Sequence, residues 1–265
     1  MKVKTAWIIK LLIVLTALSS RAWADCLPLP ASEAYLSRGA LNTQERSPNI
    51  EYPESPIVIA LHGLGDRKEG FAKLAKALPT RWRIIFVDAP LTYHNGYAWY
   101  RFRCPESARD IDQSTDALLK LVRGLRVRYP QAPIALFGFS QGGVMTLSTM
   151  SRAPTLFSAT ASLSGYWGSD ALPATLSPPP NNMASLLVTH GSSDRVVPSS
   201  AGKRSAALMR GQGFKVKELY FRGGHRITRS VLRAMVDHFD QALNAHVLKR
   251  SNSAVKRSPK GSRSF

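Results

Sequence analysis

Phe137-Gly138-Phe139-Ser140-Gln141-Gly142-Gly143 decides the fold of this 265-residue chain. The stretch contains G-x-S-x-G, the pattern in which a serine is held on a tight turn between a strand and a helix. Flanking glycines suit such a turn because the serine sits in strained backbone geometry, and side chains two residues away would collide with the neighbouring strand or helix. The strain pushes the hydroxyl outward. Short patterns of this kind arise by chance in many chains, so the surroundings carry the weight. Residues 134–137 read as a buried strand ahead of the serine, and residues 144–150 have helix-compatible composition behind it.

Outward from this turn, short apolar runs alternate with amphipathic stretches from Pro56 onward, the pattern of strands and crossover helices in a mostly parallel sheet. Strands are predicted at residues 57–61, 84–87, 134–137, 159–163, 186–189 and 216–221, the last near a sheet edge. Phe71, Leu74, Ala75 and Leu78 recur at helical spacing, and Ile111, Thr115, Leu118, Leu119, Val122 and Leu125 share one face of a long helix that Pro130 closes. Further helices are predicted over 200–209 and around Leu232, Met235, Val236, Phe239 and Leu243, with a Pro-rich loop at 178–180. No internal repeat is apparent. The length suits one α/β domain with helices on both faces of a mostly parallel central sheet.

The first residues read as an export signal. Lys2, Lys4 and Lys10 precede an apolar run over 11–18, and Ala22-Trp23-Ala24 forms an A-x-A cleavage site. The apolar run is shorter than the roughly 20 residues that span a bilayer, which disfavours an anchor. The expected organisation is a signal peptide over 1–24, a surface segment over 25–55, a catalytic domain over 56–248 and a basic, disordered tail over 249–265. An exported chain meets an oxidising compartment, where Cys26 and Cys104 allow a single pairing; nothing in the sequence says whether the sulfurs meet.

The formal charge of +19 is unevenly distributed: all 17 acids lie between the basic leader and the basic tail, and the part between them is still basic. The excess suits solubility and weak attraction to anionic envelope surfaces. No basic-aromatic motif accompanies it, which argues against specific nucleic-acid binding.

A serine hydroxyl is a poor nucleophile at neutral pH. A histidine must take its proton, and a carboxylate must fix that histidine's tautomer and stabilise the imidazolium. Downstream of Ser140, Asp194 follows the predicted strand 186–189 within HGSSDRVVP, and His225 follows the strand 216–221 within RGGHRI. The order Ser, Asp, His is that of the α/β-hydrolase arrangement. Asp194 alone would read as a turn or cap residue, and Asp170 is the alternative acid. His62, His94, His190, His238 and His246 are read as structural, because His62 and His190 precede glycines at strand ends and His238 and His246 fall on the final helix. Acyl transfer also needs oxyanion donors, assigned to the backbone N–H of Gln141 and of Leu64 in LHGLGD.

Taken together, LHGLGD, DAP followed by Trp99 and Tyr100, GFSQGG, SLSGYW, HGSSDRVVP and GGHRI resemble the phospholipase/carboxylesterase family of α/β-hydrolases, which includes the acyl-protein thioesterases. The resemblance spans about residues 56–243 and implies a single-domain serine esterase without metal or organic cofactor, with Ser140, Asp194 and His225 as triad and Leu64 and Gln141 as oxyanion donors. The chain departs from it in the export signal, the basic tail and the segment RFRCPESARDID, which in the family helps shape the acyl site. Trp99, Tyr166 and Trp167 are candidate apolar walls for an acyl chain.

The expectation is an exported carboxylesterase acting on small or lipid-like esters through an acyl-serine, periplasmic or extracellular. The alternatives are an exported lysophospholipase or thioesterase, a polyester or peptide hydrolase on the same triad, and a catalytically silent envelope-binding protein.

Overall fold

The computed structural model describes residues 40–167 and 184–257, with the backbone alone over 245–257. In chain order it holds β1 (Thr43–Arg46), β2 (Ile57–Leu61), α1 (Lys68–Phe71), β3 (Arg83–Val87), β4 (Leu91–Tyr93), β5 (Gly96–Ala98), α2 (Ser107–Arg128), β6 (Ile134–Phe139), α3 (Gln141–Arg152), β7 (Ala159–Leu163), β8 (Ser185–Gly191), α4 (Ser199–Gly211), β9 (Val216–Phe221) and α5 (Arg229–Arg257). Seven strands form one sheet in the order β1-β3-β2-β6-β7-β8-β9, parallel throughout except for β1, which runs antiparallel to β3.

Strands β2 and β6, IVIAL and IALFGF, carry no polar side chain because both sheet faces are covered. Ile57, Ile59, Leu61, Ile85, Val87, Ile134 and Leu136 join the core on the side of α2, α3 and α4. Val58, Ala60, Ile84, Phe86, Ala135 and Phe137 join the opposite core, closed by Phe71, Trp82 and the α5 residues Met235, Phe239 and Leu243. The result is the single-domain α/β-hydrolase architecture expected from the sequence.

The differences are local. The segment from Phe71 to Leu78 is not one α-helix: α1 gives way to a 3-10 stretch over Ala72–Ala77, packed above β3. Within the segment expected to be irregular, Thr43–Arg46 pairs along β3, which offers an edge with unpaired backbone groups. The hairpin of β4 and β5 has no counterpart in the sequence reading, since three-residue strands are too short to show a period. Helix α5 continues to Arg257, past the boundary expected at Lys249, because extending an existing helix gains a backbone bond for each residue ordered. The expected signal peptide over 1–24, Cys26, Asp170, the loop at 178–180 and residues 258–265 lie outside the described residues.

Candidate active site

Ser140 stands between β6 and α3 with φ 55° and ψ −116°, a backbone conformation that few non-glycine residues adopt. Its N–H donates to Leu163 O at 2.9 Å, which ties the turn to the neighbouring strand β7. A Cβ on Gly138 would overlap the Gly142 carbonyl, and one on Gly142 would overlap the carbonyls of Leu61 and His62. Both glycines are therefore required by close backbone approach, as the sequence pattern implies.

Asp194 and His225 come from turns that follow adjacent strands, β8 and β9. Ser193 N–H donates to Gly223 O at 2.9 Å and Ser192 N–H to Phe221 O at 2.8 Å, so the two turns are laced together. Asp194 Oδ2 lies 2.7 Å from His225 Nδ1. Its Oδ1 accepts from the N–H of Val196 and of Val197, each at 2.9 Å. Burial opposes the charge of Asp194, but the bonds from His225, Val197 and Val196 outweigh it and hold the carboxyl below its usual range. With Nδ1–H committed to the carboxylate, the free ring nitrogen of His225 is Nε2. The ring packs on Phe139, the residue before Ser140, with centroids 4.8 Å apart. Among the described residues no hydrogen bond joins Ser140 to His225; the contact between them runs through Phe139.

The loop after β2 meets the serine turn from the other side: a Cβ on Gly63 would lie 3.4 Å from Ser140 Cβ. Leu64, partly exposed, follows at the head of this loop, and Gln141 N–H heads α3, where backbone donors have no carbonyl behind them. The unforeseen hairpin clasps the loop. Gly65 N–H donates to Tyr97 O and Tyr97 N–H to Asp66 O, both at 2.9 Å. Beneath it His62 is buried, with Nδ1 2.7 Å from Gly63 O and Nε2 accepting from Ala89 N–H at 3.1 Å. These partners assign a neutral ring, and burial lowers its pKa.

Trp99 is fully enclosed. Its indole N–H donates to His62 O at 2.9 Å, and its backbone N–H donates to Gln141 Oε1 at 2.9 Å. In this position it braces the loop rather than presenting a surface. Tyr166 is half-buried, its hydroxyl 3.1 Å from that of Tyr100, and burial pushes both phenols up. Trp167 is half-buried and its backbone N–H donates to Ser205 Oγ at 2.7 Å. The segment singled out as a departure is anchored by Arg101, whose Nε and Nη2 each lie 2.7 Å from a carboxylate oxygen of buried Asp110. Cys104, in the same segment, is disulfide-bonded.

Sequence reasoning missed the side chain of Gln141, which also donates from Nε2 to Tyr100 O at 3.0 Å, and assigned His190 only a structural place. The four-residue spacing of His190 and Asp194 was the available signal. Among the described residues no cluster of three or more His, Cys, Asp or Glu could hold a metal.

A serine on a strained turn after the parallel strand β6, with an Asp–His pair from the turns that follow β8 and β9, has the chain order and placement of a serine hydrolase of the α/β-hydrolase class. Residues 46–243 match the phospholipase/carboxylesterase family, and the chain belongs to it as an ester hydrolase. It is 30% identical over 186 residues to acyl-protein thioesterase 1 of Debaryomyces hansenii, covering 62% of this chain and 80% of that protein. It is 27% identical over 211 residues to acyl-protein thioesterase 1 homolog 1 of Dictyostelium discoideum, covering 71% and 91%. Its fold is similar to that of the Bacillus cereus carboxylesterase, with a TM-score of 0.66 at 15% identity, covering 80% of this chain and 100% of that structure.

Proposed function

We propose that this protein is an exported serine carboxylesterase with Ser140 as nucleophile, His225 as general base and acid, and Asp194 as the carboxylate that orients it. The observation that carries the reading is the 2.7 Å contact of Asp194 Oδ2 with His225 Nδ1, on a ring packed against the residue preceding Ser140.

In this reading Ser140 Oγ attacks the ester carbonyl as its proton passes to His225 Nε2. The backbone N–H groups of Gln141 and Leu64 receive the oxyanion, each worth roughly 2.7 to 4 kcal/mol where single donors have been removed in comparable sites. Collapse of the tetrahedral species returns the proton from His225 to the departing alcohol and leaves acyl-Ser140. Water, deprotonated by His225, then attacks the acyl carbonyl, and the acid leaves as Ser140 recovers its proton. Tyr166 and Trp167 are the candidate acyl walls, and the substrates are small or lipid-like carboxylic esters.

Export rests on the basic-apolar-small pattern of the first 24 residues and is supported by the disulfide state of Cys104, since such bonds persist in oxidising compartments. The acyl-protein thioesterase relatives favour a second reading in which the electrophile is a thioester, with the same residues in the same roles.

The test is hydrolysis of a short p-nitrophenyl ester by the processed protein and by Ser140→Ala, with an acyl thioester assayed in parallel. Activity should vanish in the variant; undiminished turnover would remove Ser140 from the mechanism. Preference for the thioester would select the second reading.

A further inference from the structure

We propose that His190 is a positioning residue for Asp194, holding the turn that presents the acid to His225. The inference rests on the reading of Ser140, Asp194 and His225 as a triad and adds a second histidine behind its acid.

The side chains of His190 and Asp194 are both fully enclosed. His190 Nε2 lies 2.8 Å from Val197 O and 3.4 Å from Asp194 Oδ2. A carbonyl only accepts, so Nε2 carries the hydrogen and donates it to Val197 O. Nδ1 is buried without a hydrogen-bond partner, and it faces Gly202 of α4, where a Cβ would lie 2.5 Å from it. Protonating Nδ1 would bury an N–H with no acceptor. The ring is therefore the neutral Nε2–H tautomer, and its burial lowers its pKa in the same direction.

These contacts close a circuit. Val197 N–H donates to Asp194 Oδ1 at 2.9 Å, and the carbonyl of the same residue is held by His190. The positive edge of Nε2–H also faces Oδ2, the oxygen that receives His225 at 2.7 Å. Of the charged groups around the ring, Asp194 favours its protonation and His225 opposes it. Tyr220 is its register partner on β9, and Lys203 of α4 lies over the Tyr220 ring. Nothing in this set offers Nδ1 an acceptor. A histidine that merely filled the core would be exchangeable for an apolar residue without consequence for the chemistry.

The test compares His190→Leu, His190→Gln, Gly202→Ala and Ser140→Ala in the full chain, using a short p-nitrophenyl ester across pH and thermal melting as a check on folding. His190→Leu should lower kcat on the order of 10-fold or more while KM stays within about twofold, since the reacting groups are displaced and the substrate surface is not. The acidic limb of its kcat/KM profile should move to higher pH, because Asp194 Oδ2 then faces His225 without the opposing N–H edge. His190→Gln, which carries an amide N–H, should recover most of the loss, and Gly202→Ala, which displaces the ring, should reproduce the Leu effect in milder form. A folded His190→Leu enzyme with native kcat and an unmoved limb overturns the proposal, as does a Gln variant no better than Leu. If the Leu variant does not fold, native kcat in folded Gly202→Ala overturns it. Activity retained by Ser140→Ala defeats the triad reading instead; an inactive Ser140→Ala beside a native-like His190→Leu defeats this inference alone.

Discussion

The indole N–H of Trp99 donates to the carbonyl oxygen of His62 at 2.9 Å, joining the residue that opens the loop after β2 to the segment held by the Gln141 side chain. Both candidate oxyanion donors, Leu64 and Gln141, thereby sit on one hydrogen-bonded frame, further secured by Ser114 Oγ donating to Trp99 O at 2.6 Å. An oxyanion site acts through donors fixed before the charge develops, so its frame matters as much as the donors.

Trp99→Phe keeps most of the ring and removes the indole donor. Its kcat should fall on the order of 10-fold, less than the 10²- to 10³-fold loss of a whole donor, with KM little changed. Steady-state kinetics on a p-nitrophenyl ester measure this, and an unaltered kcat would show that the indole bond is dispensable.

Gly142→Ala introduces a Cβ that overlaps the Leu61 and His62 carbonyls between β2 and the turn at Ser140. Destabilisation by at least about 2 kcal/mol should follow, because the atoms met are backbone in a packed sheet. Thermal or urea unfolding reads this directly, and a melting curve matching the parent would contradict the packing described.

Arg101→Met strips the buried carboxylate of Asp110 of its bidentate partner. Breaking such a pair from one side costs about 3 to 5 kcal/mol, whereas replacing both partners with apolar residues is often neutral. The single variant should therefore unfold well before Arg101→Met/Asp110→Leu in urea titrations. Equal losses in the two would mean that loss of the guanidinium from the buried carboxylate is not what matters.

Burial lowers the pKa of His62, His190 and His238 below the ordinary 6.5. The unfolded chain then binds protons at a higher pH than the folded one, so this stability is complete above about 6.5 and is lost as pH falls toward the lowered folded values. Each group contributes up to about 1.4 kcal/mol per pH unit within that window. Asp194, whose carboxyl is depressed from 3.8, keeps its contribution until pH falls below that value and toward its folded pKa. Melting temperature should decline from about pH 7 to about pH 5. His238→Gln, on α5 and away from the reacting groups, should flatten the decline; a curve of unchanged steepness would remove His238 from the linkage.

Much of the site was legible because its residues carry local signals. Gly138 and Gly142 around Ser140 announce a turn that only close-approaching backbone demands. Asp194 follows an apolar run and His225 an alternating one, both of strand length, so their chain order placed them at the same end of a parallel sheet. The hairpin β4–β5 was not legible, since three-residue strands have no period and their pairing depends on contacts with a loop more than twenty residues earlier. His190 looked like any histidine before a glycine; its partners, Val197 and Gly202, declare themselves only when β8 packs on α4.

The sequence by itself determined the six parallel strands, the long helices, the chain order of Ser140, Asp194 and His225, and the turn that strains Ser140, because hydrophobic period and glycine placement are properties of neighbouring residues. Only the tertiary structure decided that Trp99 is a brace, that Gln141 acts through its side chain as well as its backbone, and that His190 stands neutral behind Asp194. Those roles depend on directed hydrogen bonds between residues distant in the chain or on enclosure by packed elements, and neither exists until the sheet and its helices have assembled.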